Sequence, residues 1–307
     1  MVTKRDYLID NCKAILIFFV VWAHFLEFIY SDLSYTLQLI IYWFHMPVFV
    51  YFSGYLAKYN PQKILKSIII PYFCVQIFGF FYYSAMGLTN DFRLLASYST
   101  LWYMIALTFW YVSIPFVEKV KKPPLLIFGT IIFALIIGYD NSVGYSLSAS
   151  RTIVFYPFFL LGYFSNTKKW FQFKNNKNIY RIIVASLLVV TSILTIVFKD
   201  IINVEWMYNS QSYASLNYSP IFRTMNYLIS FLWILGFILF MPKKQNILSK
   251  IGKNTLPVYL LHYFIVYAIY KTGIFSVQGY AVLASFVFSI IIVFVLSRDC
   301  FKKIFGR

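Results

Sequence analysis

Acidic side chains are scarce in this chain, which has 10 Asp and Glu residues against 27 Lys and Arg residues. All charged residues together make up only 12% of the sequence, whereas a soluble domain carries about 25%. Hydrophobic residues reach 61%, so a chain folded in water would expose far more apolar surface than a soluble monomer tolerates. The composition therefore argues against a soluble protein and favours one that folds in lipid.

Cysteine is also scarce, and its three positions, Cys12, Cys74 and Cys300, show no disulfide-framework spacing. They predict buried, unpaired thiols. A cleavable signal peptide is not indicated either. The first apolar stretch runs from Cys12 to Tyr30, which is longer than the roughly 7–15 residues of a signal's apolar region, and no small-residue cleavage site follows it.

The sequence lacks the alternation of apolar and polar residues that marks the strands of a membrane barrel. Its apolar runs are continuous and about 20 residues long, which predicts membrane-spanning helices. We expect an all-α polytopic membrane protein, with about ten transmembrane helices in one bundle and residues 1–307 as one membrane-embedded domain. The predicted helices lie near 12–30, 37–57, 64–86, 100–117, 124–139, 151–165, 181–198, 222–241, 255–271 and 277–297.

The net charge of +17 is distributed over short loops between the apolar runs. This is the topogenic pattern of a membrane protein, so no nucleic-acid partner is expected. If the N-terminus is cytoplasmic, most Lys and Arg residues fall on the inner side, and both termini are cytoplasmic. The exceptions are Arg93, Arg151, Lys199, Arg223 and Lys271. Membrane lipids are expected partners, with the basic segment from Asn166 to Lys177 contacting anionic headgroups.

Four polar residues stand out in or beside the first apolar run: Asp10, Lys13, His24 and Glu27. At about 100° per residue they share an arc of about 100°, and Lys13 and His24 differ by only about 20° in azimuth and about 16 Å in height. Charged residues inside membrane helices are costly and usually mark a site or a pathway. One helix face is thus predicted to run from a cytoplasmic cation to an imidazole near mid-membrane, with Glu27 orienting the His24 ring.

The other two histidines, His45 and His262, also lie in apolar runs. Counting from the helix ends places His45 at about the depth of His24 and His262 nearer the cytoplasm. Pro47 is expected to break the helical hydrogen bonds just below His45. Hydrogen bonding across a helix interface is an alternative explanation for each histidine. A metal site of three histidines is conceivable, but nothing in the spacing brings them together, so none is predicted.

The order and spacing of these residues resemble acyltransferase family 3, an integral membrane family, and in particular its bacterial sugar O-acetyltransferases. The first-helix pattern of that family is a basic residue, ten further positions and a histidine. Lys13 and His24 match it, with Lys where Arg is common. The other similar blocks are Phe44-His45-Met46-Pro47, Phe52-Ser53-Gly54-Tyr55, Lys63 and Lys66 before Pro71-Tyr72, Leu101-Trp102-Tyr103, Pro157 to Tyr163, and Gly252 to His262.

The resemblance implies acyl transfer, usually of acetyl from acetyl-CoA, to a hydroxyl of a cell-surface glycan or its lipid-linked precursor, by a multi-pass protein of the bacterial plasma membrane. Acetyl-CoA is then a co-substrate, and no tightly bound cofactor is expected. A neutral His24 is expected to act as general base with Glu27 as its orienter, while His45 stabilises the oxyanion or contacts the acceptor. The remaining candidates are the acyl-CoA contacts Asp10, Lys13, Ser53, Lys63 and Lys66, and the acceptor contacts Trp102, Tyr103, Arg151 and His262.

Two other functions stay open at this point. A transporter or flippase for a glycolipid or small solute would show inverted repeats and paired broken helices; no repeat is evident, although prolines interrupt several apolar runs. A scaffold subunit of a polysaccharide assembly complex would not need the polar face of the first helix. The sequence also leaves open whether the protein forms a homo-oligomer.

The long outer segment from Lys199 to Arg223 is rich in aromatic and amide side chains. These suit a sugar ring, and they equally suit an interfacial aromatic belt. Arg151 and Arg223 begin helices on the same side and are candidates to meet an anionic acceptor.

Overall fold

A computed structural model of the chain describes residues 6–89, 91–169, 177–275 and 278–304. Within these residues the regular structure is helical and contains no strand, which confirms the all-α prediction. Residues 170–176, most of the basic segment predicted to meet lipid headgroups, lie outside the described residues.

The described residues form sixteen α-helices. They are α1 (Tyr7–Leu26), α2 (Asp32–Tyr42), α3 (His45–Tyr55), α4 (Pro61–Ile64), α5 (Ile70–Ala85), α6 (Trp102–Val117), α7 (Pro123–Ile136), α8 (Ala149–Thr167), α9 (Lys177–Val197), α10 (Glu205–Tyr208), α11 (Tyr213–Leu216), α12 (Pro220–Phe240), α13 (Ile247–Gly252), α14 (Thr255–Lys271), α15 (Gln278–Leu296) and α16 (Asp299–Ile304). A π-helical segment, Leu65–Ile69, joins α4 to α5, and 3-10 turns occupy Ser99–Leu101, Ile137–Tyr139 and Ser146–Ser148.

Helical segments stand at all ten predicted positions, and seven among the described residues are long and apolar enough to cross a membrane. Together these features indicate a multi-pass membrane protein. The count of ten spans and the cytoplasmic position of the termini stay predictions. The seven are Tyr7–Leu26, Asp32–Tyr55, Pro61–Ala85, Ser146–Thr167, Asn178–Val197, Pro220–Phe240 and Gly279–Leu296.

Contacts along the chain define two compact units. Among the described residues, the first unit comprises 6–52, 177–204, 227–275 and 278–304, and the second comprises 53–89, 91–169 and 205–226. The expectation of a single domain stays a prediction.

In the first unit, α1 packs against α2, α13, α14 and α15. Its beginning is held by Asn11, whose side chain is fully buried. The Asn11 amide nitrogen donates to the carbonyl oxygens of Pro242 at 2.8 Å and Lys244 at 3.1 Å. Its amide oxygen accepts from the Ser249 hydroxyl at 2.6 Å. These bonds link α1 to α13 and to the segment that leads into α13, so they fix one end of α1.

The break between α2 and α3 follows from Pro47. Proline has no N–H, so the Trp43 carbonyl four residues earlier loses its helical donor. The Ser230 hydroxyl on α12 donates to that carbonyl at 2.8 Å. Pro47 does interrupt the helical ladder, as expected. The interruption lies at Trp43 and Phe44, immediately before His45 rather than below it.

In the second unit, α8 packs against α6 and α7, and three of the family-like blocks meet there. The Ser53 hydroxyl hydrogen-bonds the Tyr103 hydroxyl. Gly54 lies against the backbone of Phe159 so closely that a Cβ at position 54 would overlap the Phe159 carbonyl. Glycine is therefore required at position 54 for this approach.

Arg223 organises the segment between α9 and α12. Arg223 is only 1% exposed. It donates to the Ala134 carbonyl in the last turn of α7 at 2.8 Å and to the Tyr218 hydroxyl at 2.5 Å, a favourable place for a cation because helix C-termini carry partial negative charge. The ring of Tyr213 lies 4.6 Å from the guanidinium carbon, and burial raises the pKa of Tyr213 to about 12. Arg223 is thus a structural anchor, not an exposed contact for an acceptor.

The cysteine prediction is correct for Cys12, which is buried, and wrong for Cys74 and Cys300, which are exposed. Cys74 lies on an outward face of α5 and Cys300 on the terminal helix α16. All three thiols are free.

A substitution at Gly252 tests the close contact between α13 and α1. A Cβ at position 252 would overlap the backbone of Asp10, so Gly252→Ala should push α13 away from α1 and lower the free energy of unfolding by about 1–3 kcal/mol. Thermal unfolding of the purified protein measures this. The matched control is Gly129→Ala in α7, where a Cβ meets nothing and alanine should be neutral or stabilising by about 0.5–1 kcal/mol. Equal effects of the two substitutions would contradict the close contact.

Candidate active site

The position of His24 in α1 differs from the prediction. The helix begins at Tyr7 because Asp6 caps it, accepting a hydrogen bond from the Leu8 N–H at 3.0 Å. It ends at Leu26, with Glu27 as its C-cap. His24 therefore lies in the last turn of α1 and not in its middle.

Two polar pairs stand at the two ends of α1. At the beginning, the Lys13 ammonium lies 3.8 Å from the Asp10 carboxylate. At the end, His24 Nδ1 lies 2.9 Å from Glu27 Oε1. The eleven steps along the helix from Lys13 to His24 correspond to about 16 Å along the axis. One continuous helix thus carries a cation and an imidazole at this separation.

Glu27 receives hydrogen bonds from two directions. The bond expected from His24 is present, and the Tyr42 hydroxyl on α2 donates to the same oxygen, Oε1, at 2.5 Å. Because a carboxylate only accepts, His24 Nδ1 carries the hydrogen of this pair. His24 and Glu27 remain 15% and 20% accessible, so the pair is reachable and not sealed in the core.

His262 lies beside His24, with the ring centroids 5.4 Å apart. Its Nδ1 is 2.9 Å from the Val258 carbonyl and 2.8 Å from the Tyr259 carbonyl. Both partners accept, so Nδ1 carries the hydrogen and Nε2 is left as an acceptor. Nε2 of His262 is buried and meets no donor among the described residues. Such an atom is costly to bury alone, and a substrate hydroxyl would satisfy it.

His45 begins α3 and is buried. Its Nδ1 lies 2.9 Å from the Ile41 carbonyl, and the Tyr42 ring meets the imidazole edge-on with centroids 4.6 Å apart. Nδ1 again carries the hydrogen, because its partner only accepts. We use the term histidine cluster for His24, Glu27, Tyr42, His45 and His262.

The three imidazoles of the histidine cluster share one protonation pattern. Each directs a hydrogen on Nδ1 to an oxygen of the protein, so each Nε2 is a base or an acceptor. This arrangement suits proton abstraction and hydroxyl binding. No group of three or more His, Cys, Asp or Glu side chains in the described part of the chain is placed to hold a metal ion.

The other predicted donor contacts lie in the second unit. Lys63, in α4, and Lys66, in the π-helical segment, are exposed. The Ser53 hydroxyl hydrogen-bonds the Tyr103 hydroxyl, although Ser53 is predicted to contact the donor and Tyr103 the acceptor. Among the predicted acceptor contacts, Trp102 and Arg151 line one cavity of the second unit.

Tyr42 is the functional candidate that sequence reasoning missed. Tyr42 lies in an apolar helix, three residues before His45. Its spacing from His45 is the one sequence feature that points to it. Its partner Glu27 lies fifteen residues earlier, beyond a turn whose path the sequence does not define.

The family model described as an acyltransferase domain matches residues 6–298. The chain belongs to acyltransferase family 3. Comparison with curated proteins and with solved structures finds no match. The match includes every member of the histidine cluster, so in this acyltransferase the cluster is the candidate active site.

Tyr42→Phe tests whether the hydrogen bond from Tyr42 to Glu27 contributes to acyl transfer. The substitution keeps the ring against His45 but removes the hydrogen bond to Glu27 Oε1, so the rate of acyl transfer should fall about three- to tenfold with folding retained. Initial rates on purified protein measure it. Tyr59→Phe, at an exposed position, is the control and should leave the rate unchanged. An undiminished rate in Tyr42→Phe would remove Tyr42 from the site.

Proposed function

We propose that this acyltransferase moves an acetyl group from acetyl-CoA to a hydroxyl of a cell-surface glycan or its lipid-linked precursor, in the bacterial plasma membrane. The observation that carries the proposal is the hydrogen bond from His24 Nδ1 to Glu27, at 2.9 Å, in a chain whose family performs acyl transfer. A sugar hydroxyl is a weak nucleophile at neutral pH and profits from a base held in this way.

In the proposed reaction, Nε2 of His24 accepts the proton of the sugar hydroxyl as its oxygen attacks the thioester carbon. The bond from the acyl carbon to sulfur breaks, and the bond from the acyl carbon to the sugar oxygen forms. The proton then passes from His24 to the leaving sulfur. Glu27 stabilises the positive imidazole between these steps, and Tyr42 holds the Glu27 carboxylate in place.

His262 and His45 have supporting roles in this proposal. The buried Nε2 of His262 is an acceptor beside His24 and would hold a substrate hydroxyl close to the base. His45, edge-on to Tyr42, is proposed to contact the acceptor. With Nδ1 bonded to the Ile41 carbonyl, its Nε2 has no hydrogen to give to an oxyanion while the ring is neutral, so contact with the acceptor is the role that the geometry favours.

Lys13 is proposed to bind the phosphate end of acetyl-CoA. The separation of about 16 Å between Lys13 and His24 along α1 is a length that an extended pantetheine arm can span, so the two ends of α1 match the two ends of the donor. Asp10 holds the Lys13 ammonium at 3.8 Å. Donor contacts by Lys63, Lys66 and Ser53 stay predictions.

His24→Ala should lower transfer of labelled acetyl to a glycan acceptor by at least about a hundredfold. Glu27→Gln keeps an acceptor for Nδ1 but loses the charge that stabilises the imidazolium, so it should reduce kcat with a smaller effect on the KM for acetyl-CoA. Thermal unfolding establishes that both proteins are folded. An active, folded His24→Ala protein would rule out this mechanism.

Lys13→Ala should raise the KM for acetyl-CoA about ten- to a hundredfold, because one charge-assisted phosphate contact is lost, with kcat little changed. The control is Lys58→Ala, at an exposed lysine outside α1, which should leave KM unchanged. An unaltered KM in Lys13→Ala would exclude the donor contact.

A further inference from the structure

The second unit contains a cavity of about 220 Å³. Drug-sized ligands occupy pockets of roughly 300–1,000 Å³, so this cavity suits one sugar ring and not a whole nucleotide cofactor. Among the described residues, its lining combines aromatic rings, hydroxyl groups and one guanidinium and includes no acidic side chain. The lining includes Trp102, Tyr145, Ser148, Arg151, Tyr208 and Ser210.

Arg151 is fixed in position at the cavity. Its Nε donates to the Tyr208 carbonyl at 3.1 Å. The guanidinium carbon lies 5.0 Å from the ring centroid of Trp102 and 5.9 Å from that of Tyr145. The two rings and the carbonyl therefore hold the guanidinium in place, so that it is preorganised to bind an anion.

The backbone adds further positive potential. Arg151 stands in the first turn of α8, at the end of the helix that carries partial positive charge. Leu147 and Ser148, just before this turn, have φ values of 50° and 53°. This left-handed conformation is costly for residues other than glycine and is often kept at functional sites.

The segment carrying Tyr208 and Ser210 is bound to α8. The Ser150 hydroxyl donates to the Asn209 carbonyl at 2.7 Å. The cavity is thus bounded by groups with fixed relative positions, which is the arrangement expected of a binding site.

We propose that this cavity binds one ring of an acidic sugar, a pyranose carrying a carboxylate or a phosphate group. The guanidinium of Arg151 pairs with the anionic group, for which its planar fork is suited. The rings of Trp102 and Tyr145 cover the apolar C–H face of the sugar, and the hydroxyls of Ser148 and Ser210 bond to its hydroxyl groups. The identification of this sugar as part of the acceptor substrate rests on the proposed function. The proposal that the cavity binds an acidic sugar does not depend on it.

The test uses the purified full-length protein without an acyl donor. Saturation-transfer NMR titrations with glucuronate, glucose 1-phosphate and glucose give three dissociation constants. At least one anionic sugar should bind about tenfold more tightly than glucose, since a charge-assisted contact is gained. Arg151→Gln should remove that preference, and Tyr145→Ala, at an exposed ring, should weaken all three ligands.

The matched control is Arg93→Gln. Arg93 belongs to the same unit and pairs with Asp91 at 3.5 Å on the surface, so its loss should leave the preference intact. Equal binding of all three sugars, or a preference that survives Arg151→Gln, would overturn the proposal. His24→Ala should bind like the wild type. A wild-type protein that binds the acidic sugar but transfers no acetyl would instead overturn the proposed function alone.

Discussion

A polar side chain buried in an apolar protein has no water to bond to, so its hydrogen bonds must come from other parts of the chain. Asn11, which is fully buried, and Glu27, which is only 20% accessible, show this constraint at opposite ends of α1. Asn11 hydrogen-bonds two carbonyl oxygens and one hydroxyl group from the segment before α14. Glu27 accepts hydrogen bonds from the His24 imidazole and the Tyr42 hydroxyl. Because both ends of α1 are fixed by such contacts, the positions of Lys13 and His24 along it are fixed as well.

Much of the helical architecture could be predicted from sequence because continuous apolar runs of about 20 residues have few other stable forms in lipid. The bond between His24 and Glu27 was predictable too, since residues three apart face each other on a helix. The start of α1 was not, because the cap at Asp6 extends the helix beyond its apolar run. The end was not predictable either: α1 ends at Leu26 and not near residue 30, and this earlier end places His24 in the last turn.

The rest of the histidine cluster depends on packing between helices that are distant in sequence. His262 is predicted by counting to lie at a different depth from His24, yet their rings are 5.4 Å apart. No sequence rule specifies the rotation of α14 that brings them together. The blocks that carry the family resemblance behave similarly: Ser53 and Tyr103 are bonded to each other, although their spacing gave no sign of it. The resemblance predicted candidate residues, whereas the contacts between them depend on helix packing that the sequence does not specify.

The hydrogen bond from Ser230 to the Trp43 carbonyl has an evolutionary consequence. It exists because proline at position 47 cannot serve that carbonyl. A relative with an ordinary residue at position 47 supplies its own N–H and no longer needs a hydroxyl at position 230. The two positions, far apart in the chain, are therefore coupled through one oxygen atom. Substitutions at them should co-vary, with proline at the first accompanied by serine or threonine at the second.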